Sequence, residues 1–218
     1  MTTLTEKLLL LAFDEDTGRN RVSYLDYGLA GAVLLELTVA NRIDLSGRYV
    51  SVLDATPTGD PFQDAIVQQI QQSPRPRKPK GWIEKLRRGL RDRILQDLVQ
   101  KSVLHHRKDT VMGMFPMNRY LPVDRTITAD VRDRLGQAVD TMTAPDDETA
   151  SLAALVHALR MERHALPGRK NSHTRKALAA VADQSWVSEA TRKAIQGAQA
   201  AITAATAAGG AASMGGGG

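Results

Sequence analysis

The sequence contains no cysteine, and aromatic residues make up only 4% of its 218 residues. The absence of cysteine excludes disulfide bonds, thiol catalysis and cysteine-ligated zinc, and it fits a reducing compartment. Because aromatic side chains are scarce, the core must consist mainly of Leu, Val, Ile, Ala and Met. The proportions of apolar residues (42%) and charged residues (24%) are those of a soluble globular domain.

Long hydrophobic runs are also missing. The N-terminal segment MTTLTEKLLLLAFDEDTGRN has an apolar core of five residues, Leu8 to Ala12, which acidic residues follow. A secretory signal has a basic start and a longer apolar run, and a membrane-spanning helix has about 20 apolar residues. We therefore expect a cytoplasmic protein, and if it meets a membrane, it does so from the side.

Sequence motifs of catalysis and cofactor binding are absent as well. The chain has no GxxxxGKS/T or GxGxxG phosphate loop, no GxSxG nucleophile elbow and no HExxH zinc motif. His105 and His106 are adjacent in a predicted strand and therefore point to opposite faces. His157 and His164 lie seven residues apart on one face of a predicted helix, where ordinary polar roles are favoured. We predict no enzymatic activity, no metal site and no cofactor.

Apolar periodicity predicts a mainly α fold, a single globular helical domain around a central hydrophobic helix. The central helix is expected from Tyr27 to Ala40, where Ala30 and Gly31 allow close packing, and Thr5 is expected to cap the first helix. We assign residues 1–206 to the domain and 207–218 to a disordered Gly/Ala-rich tail. The other helices are predicted at residues 4–13, 60–72, 82–103, 127–142 and 149–166, with two more between 171 and 208.

Two small β-hairpins are predicted, each directly after a helix. The segment NRIDLSGRYVSVLD alternates around a Ser-Gly turn. The segment VLHHRKDTVMGMFPM predicts a second hairpin with its turn at Lys108 and Asp109. A helix followed by a two-stranded wing therefore occurs twice.

Positive charge is concentrated in PRPRKPKGWIEKLRRGLRDR, residues 74–93. This stretch has nine basic and two acidic residues, whereas the whole chain carries a net charge of only +5. Prolines exclude a helix from Pro74 to Lys80, and a helix is expected from Trp82. On that helix Arg88 and Arg91 are neighbours at a spacing of three, with Arg87 beside them, so that they can fork a phosphate. The alternative is a solvated helix face.

Apolar side chains within and after the basic stretch are of two kinds, a single tryptophan and a cluster in the second hairpin. Trp82 is expected to close the core rather than anchor in a membrane. The second hairpin contains a cluster of methionines and one phenylalanine, which suits adaptable contact with lipid or protein; its members are Met112, Met114, Phe115 and Met117.

The sequence resembles the Golgi phosphoprotein 3 family. The resemblance rests on an ordered set of segments from about Leu4 to Trp186: EKLLLLAF, GLAGAVLLEL followed by NRI, PTGD, GWIEKL, LRRGLRDRILQDLVQKSVL and SLAALVHAL. It implies amphipathic helices around a central hydrophobic helix, with several hairpins. Eukaryotic members are peripheral membrane proteins that bind phosphatidylinositol 4-phosphate and retain glycosyltransferases in the Golgi.

The resemblance also implies a headgroup site built from a Trp, a following Arg and an Arg pair at i, i+3. The pair corresponds to Arg88 and Arg91, whereas Ala30 stands where the single Arg is expected. Only Tyr24 or Tyr27 is available near the position of the Trp. The family's apolar hairpin corresponds to about residues 103–116. The Arg-rich N-terminal tail of eukaryotic members is missing, which suggests a bacterial member.

From these observations we predict a non-enzymatic peripheral membrane protein that binds anionic headgroups, phosphoinositide or similar. Its headgroup-binding residues are predicted to be Arg87, Arg88, Arg91, Tyr24 and Tyr27. Two alternatives remain: an adaptor that binds the cytoplasmic tails of membrane enzymes, and a winged-helix-like nucleic-acid binder. The second is disfavoured because the helix before each wing is strongly apolar. Self-association through the second hairpin is a further expectation.

Overall fold

The computed structural model describes residues 2–45, 47–111, 115–183, 196–204 and 206–207. The fold is mainly α with two small antiparallel strand pairs, which confirms the predicted class. The helices are α1 Leu4–Ala12, α2 Leu25–Val39, α3 Pro61–Gln71, α4 Pro79–Leu86, α5 Leu90–Gln100, α6 Thr126–Thr141, α7 Asp147–Ala158, α8 Glu162–Ala165 and α9 Asn171–Ala182. Residues 196–204 are helical too. The strands are β1 Ile43–Asp44, β2 Ser51–Val52, β3 Leu104–Val111 and β4 Phe115–Pro122.

The first helix starts with a capping box. The Thr3 hydroxyl accepts a hydrogen bond from the Glu6 amide at 3.2 Å, and the Glu6 carboxylate accepts one from the Thr3 amide at 2.8 Å. The two bonds satisfy amides that have no partner inside the helix. The prediction that Thr5 caps this helix is therefore wrong, because Thr5 lies within α1 and is buried.

The central helix is α2, as the sequence predicted. It packs against α1, α4, α5 and α7, and most of its residues are buried. A Cβ atom added to Gly31 would lie 2.6 Å from Cδ1 of Ile202, in the C-terminal helical segment. The predicted close packing at Gly31 is confirmed, since even a methyl group would displace that neighbour.

One helix predicted over residues 82–103 is in fact two. Residues 87–89 form a turn between α4 and α5, and Gly89 has φ +72°, a left-handed conformation that favours glycine. The break leaves the apolar spacing intact, because Ile83 before it and Leu90 after it are both buried. The helix also starts earlier than predicted, with Pro79 in its first turn, where its missing N–H costs nothing.

The predicted turn of the second hairpin is wrong. β3 and β4 pair from Leu104 opposite Pro122 to Val111 opposite Phe115, so that the connection comprises residues 112–114, which lie outside the described ranges. Lys108 and Asp109 lie within β3. Asp109 is held there by Arg107 of its own strand at 3.0 Å and by Arg119 of β4 at 2.7 Å.

The remaining predictions concern the first hairpin and the C-terminal half. β1 and β2 pair as predicted, with Ile43 opposite Val52. The helix predicted over 149–166 is divided into α7 and α8 around Arg160, whose φ is +54°. His157 and His164 therefore belong to different helices, and the prediction that they share one helix face is wrong. Of the predicted tail, only residue 207 is described.

Candidate anion-binding site

The basic segment, residues 74–93, comprises a loop, α4, the turn at 87–89 and the start of α5. The loop is fixed to the first hairpin, because the Val50 amide donates to the carbonyl of Arg77 at 2.9 Å. Among the described residues, only Arg87 and Arg91 of the segment's nine basic residues form ion pairs. The seven others are exposed: Arg75, Arg77, Lys78, Lys80, Lys85, Arg88 and Arg93.

Trp82 lies beneath this charged surface. Its side chain is 1% exposed, and it is part of the core, as predicted. The Lys85 ammonium lies 4.8 Å from the centre of its ring and the Arg77 guanidinium lies 6.0 Å from it. Both distances are within the range of cation–π attraction. Trp82 therefore helps to place two cations at the surface and does not itself reach it.

The turn places Arg87 against the N-terminal end of α2. Its guanidinium lies 4.6 Å from the centre of the Tyr27 ring, and its Nε lies 3.0 Å from Oε2 of Glu84. The hydrogen bond with Glu84 raises the pKa of Arg87. Arg87 is half-buried, and its guanidinium already has a carboxylate partner in Glu84.

Arg91 has a carboxylate partner too. Its Nε lies 3.4 Å from Oδ1 of Asp26, in the first turn of α2. Arg88 lies in the turn and not on a helix, so the prediction that Arg88 and Arg91 share one helical face is wrong. Gly89 is the physical reason, because its left-handed backbone changes the chain direction between the two arginines.

The two tyrosines lie at the same end of α2 but differ in exposure. Tyr24 is 44% exposed and Tyr27 is 8% exposed, with their rings edge to face at 6.1 Å. Tyr24 is the residue before the helix, and no side chain caps the helix there. The positive end of the helix dipole therefore lies beside the arginines. Ala30 is fully buried within α2 and brings no charge.

The apolar hairpin residues are only partly described. Met117 is half-buried in β4, opposite Asp109. The backbone of Phe115 pairs with that of Val111. Met112, Met114 and the side chain of Phe115 lie outside what the structure describes.

The structure therefore brings together four of the predicted headgroup residues, Tyr24, Tyr27, Arg87 and Arg91, with Arg88 in the intervening turn. The sequence analysis did not identify Glu84 and Asp26, whose carboxylates form ion pairs with Arg87 and Arg91. Glu84 was detectable from its i, i+3 spacing to Arg87. The contact of Asp26 with Arg91 is long-range, and no local pattern indicates it.

The described ranges contain neither a candidate metal-binding group nor a candidate membrane-spanning helix. Among the described residues, no group of three or more His, Asp or Glu is placed to hold a metal ion. The helices of the described ranges are all too short or too polar to cross a bilayer. What the site offers is positive charge at a surface, with one exposed aromatic ring and the end of a helix dipole beside it.

Comparison with known protein families gives a match over most of the chain. The sequence model described as Golgi phosphoprotein 3 (GPP34) matches residues 4–198. The match covers most of the 218 residues, from the start of α1 into the C-terminal helical segment. The chain belongs to the Golgi phosphoprotein 3 family.

Proposed function

We propose that the protein is a non-enzymatic peripheral membrane protein that binds anionic phospholipid headgroups, phosphoinositides among them, through its basic segment. One observation carries the proposal: seven cations of residues 74–93 are exposed and make no ion pair with any described residue. Each basic residue near an anionic membrane contributes about 1 kcal/mol of attraction. Several cations together are enough for reversible binding.

The arrangement of the arginines favours recognition of charge over recognition of one headgroup. A phosphate at Arg87 or Arg91 must compete with Glu84 or Asp26, which are already within ion-pair distance. The buried Ala30 contributes no further contact. We therefore expect phosphatidylinositol 4-phosphate to bind chiefly through its high negative charge.

The second hairpin supports a supplementary apolar contact in this proposal. It follows α5, the helix that carries Arg91, and β3 packs against that helix. Eight residues at about 3.3 Å each separate the connection at 112–114 from the start of β3. Met112 and Met114, which the sequence places between β3 and β4, have side chains that suit shallow insertion or contact with a partner protein.

Co-sedimentation with liposomes tests the proposal through two matched lysine pairs. Lys78 and Lys80 lie at the start of α4. Lys170 directly precedes α9, and Lys176 lies within α9. All four are exposed. Lys78→Gln/Lys80→Gln removes about 2 kcal/mol of attraction, a loss of about 30-fold in affinity, whereas Lys170→Gln/Lys176→Gln leaves binding unchanged.

Equal losses from both pairs would contradict a site in the basic segment. Failure of the wild-type protein to bind any anionic vesicle would refute membrane binding itself. In that case a salt-sensitive mobility shift with duplex DNA would assign the exposed cations to nucleic acid.

A further inference from the structure

A cavity of about 500 Å³ lies between α1, α2, α3 and α5. Its wall is acidic although the chain as a whole is basic. Four carboxylates line it, with two cations: Glu6, Glu36, Asp60 and Asp97, with Arg93 and Lys101. A volume of this size accommodates a small organic molecule.

Three of the four carboxylates already have strong partners. Lys101 Nζ lies 2.8 Å from Glu6 and 2.5 Å from Asp97. Asp60 caps α3 and accepts from the Phe62 amide at 2.8 Å. The carboxylates of Glu6, Asp97 and Asp60 therefore have structural roles in the wall and need no ligand as a partner.

Glu36 is the exception. Its Oε1 accepts from the Thr5 amide at 2.7 Å and its Oε2 accepts from the Gln63 side chain at 3.4 Å. Within the described part of the chain it makes no ion pair, and loss of hydration raises the pKa of its carboxyl. A carboxylate has about four acceptor positions, so Glu36 retains acceptor capacity without a compensating cation. Such a group is costly to desolvate alone.

The hydroxyl of Thr5 is a second polar group in the cavity whose hydrogen-bonding capacity is not filled. Thr5 is 3% exposed and lines the cavity. Its Oγ1 makes no hydrogen bond of normal geometry with a described residue, although it lies close enough to Glu36 to lower the pKa of that carboxyl. Buried hydroxyls are normally hydrogen-bonded, and one that is not indicates a missing partner. Glu36 and Thr5 together offer acceptors to one donor-rich cation.

Part of the wall is apolar. Phe62 and Ile94 both line the cavity, and Ile94 is part of the core. The guanidinium of Arg93 lies 4.5 Å from the centre of the Phe62 ring. Apolar walls with a few convergent polar groups are typical of small-molecule sites.

We propose that this cavity binds a small organic cation, with its ammonium group against Glu36 and Thr5 and its apolar body against Phe62 and Ile94. A primary ammonium has three donors, which match the carboxylate and the hydroxyl. The two proposed sites share Arg93, but this inference does not depend on the lipid-binding proposal.

Titration of the full-length chain with 2-phenylethylamine and its uncharged analogue 2-phenylethanol tests this inference. Calorimetry gives the affinity, and amide NMR shifts at Thr5 and Gln63 locate the ligand. The amine is expected to bind and the alcohol to bind at least about tenfold more weakly, since a charge-assisted hydrogen bond is lost. Lys78→Gln/Lys80→Gln is expected to bind the amine normally.

Substitutions at Glu36 and Thr5 test whether these two residues bind the amine. Glu36→Gln preserves the shape and the acceptor for Thr5, and it is expected to weaken amine binding at least about tenfold. Glu148→Gln, at an exposed site, leaves binding unchanged. Thr5→Val weakens binding whereas Thr5→Ser retains it, which keeps the test valid if Glu36→Gln folds poorly. No amine binding, equal binding of the alcohol, or full binding by both Glu36→Gln and Thr5→Val would overturn the inference.

Discussion

Replacement of Gly89 by alanine tests the turn that orients the arginines of the basic segment. Gly89 has φ +72°, and an added Cβ would meet nothing within 4 Å. The cost is therefore conformational and not steric, about 1–2 kcal/mol for a residue with a Cβ in the left-handed region. At roughly 2–4 °C per kcal/mol for a chain of this size, the midpoint of thermal unfolding should fall by about 2–8 °C.

Gly81 provides the matched control in the same segment. It lies inside α4, and an added Cβ would be 3.7 Å from Arg77, an ordinary contact. Gly81→Ala should therefore stabilise the protein by up to about 1 kcal/mol. Urea unfolding of both variants measures the two free energies. If Gly89→Ala also stabilised the protein, residues 82–103 would behave as one continuous helix, and the turn at residues 87–89 would be refuted.

Three further predictions concern other named contacts. Thr3→Ala removes the cap of α1 and should cost about 1 kcal/mol in urea unfolding; a loss below the error of the measurement would contradict the capping box. Asp14 has a pKa of about 2, chiefly because the Thr17 hydroxyl donates to it. Its contribution to stability is therefore complete above about pH 4 and is lost as the pH falls towards 2; NMR titration of Thr17→Val should show the pKa returning towards 3.8, and an unchanged pKa would contradict this cause. Asp26→Asn removes the carboxylate partner of Arg91 and should strengthen sedimentation with anionic vesicles; weaker binding would show that Asp26 supports the site.

Local signals predicted most of the helices. The helix at α3 was predicted almost to the residue, because Asp60 followed by Pro61 is a strong start signal that the structure confirms. The central helix was predicted from its continuous apolar run, with bounds that differ by two residues at the start. Capping and hydropathy act over a few residues, and one sequence is enough to detect them.

The sequence-based predictions were wrong where one local sequence pattern was compatible with two different structures. Apolar spacing runs unbroken across Gly89, so that one helix and two helices fit equally well. The Lys-Asp pair at 108 and 109 has turn chemistry, but the cross-strand contact with Arg119 stabilises it within β3. That contact depends on the register of the hairpin, which the sequence did not specify.

The candidate site was predicted in part for the same reason. Composition alone located the basic segment, and the burial of Trp82 followed from its position at the start of an amphipathic helix. The ion pair between Arg91 and Asp26 joins α5 and α2, two helices that are far apart in the sequence. Only the tertiary fold reveals this contact. A phosphate at Arg91 therefore has a competing carboxylate that the sequence did not indicate.

The most direct test of this account is the salt dependence of binding to vesicles at matched surface charge. Phosphatidylserine vesicles and vesicles with phosphatidylinositol 4-phosphate would be compared with neutral vesicles at low and physiological salt. The account predicts similar binding to both anionic types, a steep loss with added salt and no binding to neutral vesicles. Binding that is indifferent to salt and to vesicle charge, or no binding to either anionic type, would contradict it.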